Sequence, residues 1–109
     1  MPSFGKYTLY IMSNSRMTVL YTGVTSNLQQ RYIQHITGAF EGFTKRYNCH
    51  ILIYFEQYDT MMEAIIREKY VKKLSRQNKL GLIRSMNPTH SDLGAEWRHD
   101  YESVFGPLH

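Results

Sequence analysis

The sequence predicts a small mixed α/β protein in which helices flank a three-stranded sheet, in the order β-β-α-β-α-α. Two short segments near the N-terminus are rich in β-branched and aromatic residues, and a third apolar segment follows a helical one. Two later segments combine helical periodicity with capping residues. The chain has 109 residues, which is enough for one hydrophobic core.

The first two strands are predicted to form a β-hairpin. If Met12 pairs with Val19, the antiparallel register puts Tyr10 opposite Tyr21 on the same face, with Cβ atoms about 5 Å apart. We therefore expect two phenol rings side by side. The strand segments are residues 7–12 (YTLYIM) and 19–24 (VLYTGV), separated by the turn-like SNSRMT.

A helix of about three turns is predicted after the hairpin. The segment TSN supplies N-cap candidates, apolar residues recur at helical spacing, and Gly38 is the expected C′ residue. Arg31 and His35 are four positions apart, so they project from the same side of this helix. Together they could converge on one anion, although either residue alone is more often an ordinary surface residue.

The third strand and two further helices follow. Residues 50–58 (HILIYFEQY) form a near-continuous apolar run, which is typical of a strand covered on both faces. The pattern does not define the orientation of this strand. Thr60 and Glu63 form a capping box that starts a long helix through residues 61–77. A shorter helix over residues 79–86 is expected to end before Pro88, because the residue before a proline disfavours helical geometry.

The chain is predicted to contain one domain over residues 1–93 and a C-terminal tail over residues 94–109. The tail is polar and acidic, and we expect Trp97 to pack it onto the domain. The single cysteine, Cys49, cannot form an internal disulfide, which fits a reducing compartment and predicts a cytoplasmic location. No apolar run approaches the roughly 18 residues needed to span a membrane.

Basic residues are unevenly distributed along the chain. Lysine and arginine total 13 against 9 acidic residues, and seven of the basic residues lie between Arg67 and Arg84 with a single acid, Glu68. Clustered cations gain binding free energy by releasing phosphate counterions, so this stretch indicates a nucleic-acid partner. A solvated helix face would explain the same charges equally well.

Glu68 lies in an apolar seam of the predicted helix, with Ala64, Ile65 and Val71 as its helical neighbours. Burying an unpaired charge is costly, so such a carboxylate is usually paired, protonated or bound to a cation. One alternative is a salt bridge to Lys72, four positions later. The sequence contains no zinc-ligand spacing, P-loop or G-x-S-x-G motif, so those chemistries have no support.

Five ordered segments resemble the GIY-YIG endonuclease superfamily, and together they extend over residues 7–93. Within that superfamily the chain is most similar to small stand-alone URI-type, UPF0213-like proteins. The resemblance implies the GIY-YIG nuclease fold. The segments are YTLYI, VLYTGVTSNLQQRYIQH, FTKRYN, EAIIREKYVKK and NPTHSDL.

The resemblance also implies a catalytic set drawn from both halves of the chain. Tyr21 would be the general base or would orient the attacking water, with His35 as an auxiliary or alternative base. Glu68 would hold one Mg²⁺ or Mn²⁺ ion. The implied catalytic residues are Tyr10, Tyr21, Arg31, His35 and Glu68, with Asn87 as an auxiliary residue.

Three positions depart from the pattern of the superfamily. The first signature triplet of the superfamily falls on residues 8–10 (TLY) and the second on residues 21–23 (YTG). Thr8 replaces the glycine of the first signature, and Thr22 replaces the isoleucine of the second. Val24 stands where some relatives carry a catalytic lysine. These departures spare both signature tyrosines, but they leave open how the nucleophile is activated.

The implied function is a metal-dependent endonuclease that hydrolyses nucleic-acid phosphodiester bonds, with DNA favoured over RNA. We expect it to be structure-directed or weakly specific, to act in DNA repair or processing, and to have a protein partner for targeting. The alternatives are a non-catalytic nucleic-acid-binding module of the same fold and, from the aromatic content alone, a scaffold. The predicted nucleic-acid contacts are Lys45, Arg46, Lys69, Lys72, Lys73 and Arg76.

Overall fold

The computed structural model describes residues 6–39 and 46–108. It confirms the predicted fold class, a three-stranded antiparallel sheet with flanking helices, and adds a helix at the C-terminal end. None of the helices in these ranges is long and apolar enough to cross a membrane. The elements are β1 (Tyr7–Ser13), β2 (Leu20–Thr25), α1 (Leu28–Thr37), β3 (Ile51–Tyr58), α2 (Met61–Lys73), α3 (Arg76–Met86) and α4 (Ala95–Phe105).

Strand β1 is the centre of the sheet, and the strand order is β2-β1-β3. Both neighbours are antiparallel to β1, which settles the orientation of β3 that the sequence pattern left open. In the hairpin, Tyr10 pairs with Gly23 and Met12 pairs with Tyr21. The prediction that Tyr10 lies directly opposite Tyr21 is therefore wrong by two residues.

The turn between β1 and β2 explains this register. The Asn14 side chain accepts hydrogen bonds from the backbone N–H groups of Thr18 (2.9 Å) and Val19 (3.1 Å), so the six-residue turn starts at Asn14. The predicted turn started one residue earlier, at Ser13, which instead pairs with Leu20 in the sheet. Because the register differs by an even number, both tyrosines still point to one face.

Helix α1 begins and ends where the sequence predicts. The Asn27 side chain accepts a hydrogen bond from the backbone N–H of Gln30, and Gly38 ends the helix in the left-handed region at φ 72°. Helix α2 likewise starts after Thr60, whose hydroxyl accepts from the backbone N–H of Glu63.

The long helix predicted over residues 61–77 is instead two helices. Helix α2 ends at Lys73, and Leu74 is extended with φ −64° and ψ 147°. Ser75 then caps α3 by accepting a hydrogen bond from the backbone N–H of Asn78. Because Ser75 caps a new helix, α3 starts earlier than predicted. It ends at Met86, just before the Asn87–Pro88 bond, as expected.

The sheet separates two hydrophobic clusters, because side chains along β1 alternate between its faces. Leu9 and Ile11 pack with Val71 of α2 and Ile83 of α3. The other face buries a second cluster against α1. That second cluster contains Tyr10, Met12, Tyr32, Ile36, Cys49 and Leu52.

Helix α4 was not predicted. It has no side-chain N-cap and no fully buried residue, so neither capping nor periodicity marks it in the sequence. The Trp97 ring lies 5.8 Å from the Tyr32 ring, centroid to centroid. Asp92 accepts hydrogen bonds from the Tyr32 hydroxyl (2.6 Å) and from the backbone N–H of Leu52 (3.1 Å). These contacts hold the C-terminal segment on α1 and β3.

Candidate active site

Three aromatic side chains from β1, β2 and α1 meet on the α1 face of the sheet. The Tyr10 ring centroid lies 6.2 Å from that of Tyr21 and 5.6 Å from that of His35. Tyr21 and His35 are also 5.6 Å apart. The two phenols lie close together as expected, although they are diagonal rather than directly opposite neighbours in the sheet.

Tyr10 is buried, and Gly23 makes room for it. A Cβ atom added at Gly23 would lie 2.8 Å from both Cζ and the hydroxyl oxygen of Tyr10, which is too close for a real contact. The sequence interpretation named the tyrosines but missed this glycine. A glycine inside a strand was the available signal, because it often marks close approach of another group.

His35 is buried, and its ring lies against those of Tyr10 and Tyr21. Its Nε2 atom lies 3.0 Å from the Tyr10 hydroxyl oxygen. Burial, followed by the positive charges of Arg31 and His50, lowers the pKa of His35 to about 4. The imidazole is therefore neutral at pH 7 and can accept a proton at one ring nitrogen.

Tyr10 keeps its proton at neutral pH. Burial first, and then the neighbouring Tyr21, raise the pKa of Tyr10 well above its usual value, and Arg31 opposes them. Tyr21 is partly exposed, whereas Tyr10 is 1% exposed. Tyr21 is thus the phenol that a substrate can reach, and Tyr10 is the one that can connect it with His35.

Arg31 and Glu68 act on this cluster from two helices. The Arg31 charge opposes the raised pKa of Tyr10 and contributes to the lowered pKa of His35. The negative charge of Glu68 helps to raise the pKa of Tyr10. The structure thus brings Tyr10, Tyr21 and His35 into contact. The charges of Arg31 and Glu68 reach this cluster, and the catalytic roles of all five residues stay predictions.

Glu68 is only partly buried, and its side chain is 20% exposed. Its Oε2 atom lies 3.5 Å from Nζ of Lys72, which is the salt bridge considered as an alternative from the sequence. Ala64 and Val71 beside it are buried, as the seam predicted. A single long contact to an exposed lysine is a weak interaction and leaves the carboxylate able to bind a ligand.

The donor set limits what kind of metal site could form. Across the described ranges, no three His, Cys, Asp or Glu side chains are grouped so as to hold an ion. A dedicated protein cage for a metal is therefore absent from this part of the chain. Glu68 fits a Mg²⁺ ion of the kind bound by one or two carboxylates, with water and substrate phosphate as the remaining ligands.

The departures from the two signature triplets are accommodated inside the sheet. Thr8 is 3% exposed and Thr22 is 7% exposed, and both lie within paired strands. Val24 also lies within β2, where it pairs with Leu9.

The predicted nucleic-acid contacts have different environments. Lys45 lies outside the described residues. Arg76 donates hydrogen bonds to the backbone carbonyls of Met17 and Thr18, so it ties α3 to the β1–β2 turn. The side chains of Arg46, Lys69, Lys72 and Lys73 are exposed.

The Asn87 side chain holds the segment after α3 against β3 and is not part of the Tyr10–Tyr21–His35 cluster. Its amide nitrogen donates to the carbonyls of Ile53 (3.1 Å) and Ser91 (2.7 Å), and its oxygen accepts from the Ser91 backbone and hydroxyl. These bonds use its full hydrogen-bonding capacity. The predicted auxiliary role gains no support from this placement.

Comparisons with known proteins agree with this geometry. A family model, the GIY-YIG catalytic domain, matches residues 6–81. A UPF0213 protein of Clostridium perfringens is 44% identical over 66 residues, covering 61% of this chain and 71% of that protein. A UPF0213 protein of Staphylococcus saprophyticus is 38% identical over 78 residues, covering 72% of this chain and 94% of that protein.

A solved structure shares the fold. The solution NMR structure of a UPF0213 protein from Bacillus halodurans matches with a TM-score of 0.51 and 24% identity, covering 79% of this chain and 90% of that chain. The sequence matches and the shared fold lead to one assignment. The chain belongs to the GIY-YIG catalytic-domain family and is a small member of its UPF0213 group.

Proposed function

We propose that this protein is a divalent-metal-dependent endonuclease that hydrolyses phosphodiester bonds of nucleic acid, with DNA as the favoured substrate. The observation that carries the proposal is the contact of Tyr10, Tyr21 and His35, on which the charges of Arg31 and Glu68 both act. A phenol pair, a neutral imidazole, a guanidinium and a carboxylate are sufficient groups for in-line attack of water on a phosphate.

The proton of the attacking water would leave through the aromatic cluster. Tyr21 is the exposed member and would orient the water and take its proton. Its own proton would pass to Tyr10, and the Tyr10 proton to Nε2 of His35, 3.0 Å away. His35 is neutral at pH 7, so one ring nitrogen can accept a proton, and its lowered pKa makes it a weak base that would hold this proton only during the attack.

Arg31 and Glu68 would handle the negative charge of the phosphate. The Arg31 guanidinium would bind the nonbridging oxygens and stabilise the charge that develops on them during attack. Glu68 would hold the Mg²⁺ or Mn²⁺ ion, whose chemistry when bound is to polarise a phosphate oxygen and neutralise the leaving oxygen.

In the cell, the protein would act on DNA structure rather than on a long recognition sequence, in repair or processing, with a protein partner for targeting. The support for weak specificity is chemical. Two lysines and one tyrosine of a groove beside the site, Lys72, Lys79 and Tyr21, are residue types suited to phosphate contact and base stacking, which depend little on sequence.

One observation favours the alternative, a non-catalytic nucleic-acid-binding module. The salt bridge between Glu68 and Lys72 could serve only to stabilise α2, without a bound metal ion. In that case the basic residues would bind nucleic acid, and the tyrosine cluster would serve only to pack α1 on the sheet.

Cleavage assays distinguish the two functions. Labelled DNA and RNA duplexes, single strands, nicks and flaps would be incubated with Mg²⁺, Mn²⁺ or EDTA. We expect metal-dependent cleavage by the wild type and a loss of about 10³-fold in Glu68→Gln and Arg31→Ala, as for removal of a group that stabilises transition-state charge. Glu96→Gln, at an exposed position of α4, is the matched control and should cut normally.

Binding without cleavage of any of these substrates would favour the non-catalytic module. Unchanged cleavage by either site variant would show that the proposed catalytic set is incorrect. Circular dichroism and thermal unfolding would verify that each variant is folded before the rates are compared.

A further inference from the structure

A shallow groove runs beside the candidate active site, along the edge strand β2 and next to α2 and α3. It is lined by Leu20, Tyr21, Thr22, Lys72 and Lys79. Tyr21 belongs both to this groove and to the aromatic cluster. Lys72 of the groove also contacts Glu68, so the groove borders the candidate site at the β2 edge of the sheet, on the face that packs against α2 and α3.

The charged residues lining the groove are two lysines from different helices. Lys72 lies in the last turn of α2, and its side chain is 54% exposed. Lys79 lies near the start of α3 and is half-buried. Within residues 6–39 and 46–108, Lys72 contacts Glu68 and Lys79 has no carboxylate within salt-bridge distance. Two convergent ammonium groups favour a ligand that carries negative charge.

Hydrogen bonds hold the two sides of the groove together. Arg76, the first residue of α3, donates to the backbone carbonyls of Met17 and Thr18 in the turn before β2. The strand that carries Tyr21 and the helix that carries Lys79 are thereby fastened to each other. The groove is thus formed before a ligand arrives, which lowers the ordering cost of binding.

We propose that this groove binds a backbone phosphate of the nucleic acid adjacent to the scissile phosphate, with Lys72 and Lys79 as its ligands. The inference rests on the proposed function, since it assigns the path of the substrate past Tyr21. Lys79 was not among the predicted nucleic-acid contacts. Lys72 would move from Glu68 to the phosphate, so substrate binding would release the Glu68 carboxylate.

The preference for a nucleic acid over an acidic peptide follows from the position of the groove beside the candidate site. Lys72 contacts Glu68, the residue to which the proposed function assigns the metal ion. A phosphate held by Lys72 and Lys79 would therefore lie close to the phosphate that is cut, and the regularly spaced phosphates of one strand supply both. An acidic peptide would use only the lysines.

Equilibrium binding in EDTA tests this groove without cleavage. Fluorescence anisotropy of a labelled oligonucleotide would compare Lys72→Gln and Lys79→Gln with Lys6→Gln and Arg84→Gln. The two control variants each remove one positive charge from an exposed position that does not line the groove and is not among the predicted nucleic-acid contacts. Each groove variant is expected to bind about five-fold more weakly and to lower the slope of log K against log salt by about 1. The controls should change binding by about two-fold or less.

Equal losses in all four variants would show diffuse attraction and overturn the proposal. Displacement of the oligonucleotide by polyglutamate at an equal concentration of charge would also overturn it, because an acidic peptide would then be an equivalent ligand. Glu68→Gln should bind at least as tightly as the wild type in EDTA, because Lys72 is then released.

The binding and cleavage results separate the two proposals. If the wild type cuts DNA but the groove variants bind like the controls, the nuclease assignment stands and the groove assignment fails. If the groove variants bind weakly but no metal supports cleavage, the groove assignment stands and the nuclease assignment fails.

Discussion

Two polar clusters of this protein each contain a glutamate and tyrosines, and they differ in how fully the carboxylate is satisfied. Glu56 of β3 accepts two hydrogen bonds from Arg67, at 2.9 and 3.0 Å, and one each from the hydroxyls of Tyr54 and Tyr58. Among residues 6–39 and 46–108, the contact found for the Glu68 carboxylate is one lysine, Lys72, at 3.5 Å. The first cluster is complete without a ligand, whereas the second leaves charge that a ligand can use.

This comparison shows why a buried or half-buried carboxylate is not by itself a functional signal. Burial acts to raise the pKa of Glu56, but the hydrogen bonds from Arg67, Tyr54 and Tyr58 outweigh it, and the pKa is lowered. That network stabilises the ionised form and joins β3 to α2. Within the described part of the chain the Glu68 carboxylate has no comparable network, and its charge acts on Tyr10. It is therefore the carboxylate that can bind a ligand.

The largest effect that we expect is a pH dependence of the free energy of unfolding that comes from His35 and not from Glu56. The pKa of His35 falls from 6.5 in the unfolded chain to about 4 in the fold. The unfolded chain therefore binds more protons between these values, and stability is lost as the pH falls from about 6.5 to 4. By the linkage relation the loss is at most about 3 kcal/mol.

Urea unfolding at pH 7, 6, 5 and 4.5 would measure this loss, with His35→Gln as the comparison. Glu56 does not contribute in the same range, because its lowered pKa retains its stabilisation above the unfolded value of 4.5. The stability of His35→Gln should therefore depend less steeply on pH between 6.5 and 4.5. Parallel curves for the two proteins would contradict the assignment of a neutral imidazole.

The next effect compares the two glutamates directly at neutral pH. Glu56→Gln replaces a carboxylate that accepts four hydrogen bonds, and we expect it to lower the free energy of unfolding by about 2 kcal/mol. Glu68→Gln removes one partly exposed ion pair and should change it by less than about 1 kcal/mol. Urea denaturation of both variants measures the difference. Equal destabilisation would mean that Glu68 is also a structural residue.

The smallest effect concerns the space that Gly23 leaves for Tyr10. In Gly23→Ala the added methyl group would displace the Tyr10 ring, and overpacking of this kind costs about 1 kcal/mol or more. The hydrogen bond between Tyr10 and His35 should weaken as the ring moves. The cleavage rate of the folded variant should therefore fall even where its free energy of unfolding is lowered only slightly. Gly81→Ala is the control, because an added Cβ there meets no atom within 4 Å. Identical stability and cleavage in both variants would refute the packing argument.

The sequence by itself determined the features that depend on neighbouring residues. The caps at Asn27, Thr60 and Gly38, and the end of α3 before Pro88, follow from hydrogen bonds and backbone preferences within a few positions. The shared face of Tyr10 and Tyr21 also follows, because strand side chains alternate whatever the register. The resemblance to a family then indicated the residues of the candidate site, whose roles stay predictions.

Only the tertiary structure decided the features that depend on distant contacts. The strand order, with β1 in the centre, and the antiparallel orientation of β3 depend on pairing between segments about 40 residues apart. The packing of Val71 from α2 and Ile83 from α3 on the same face of β1 is a further long-range contact. Helix α4 is held by Tyr32 and Asp92 rather than by its own periodicity. Whether a carboxylate is satisfied, as Glu56 is and Glu68 is not, depends on side chains that approach from other elements. Sequence spacing alone carries no information about such approaches.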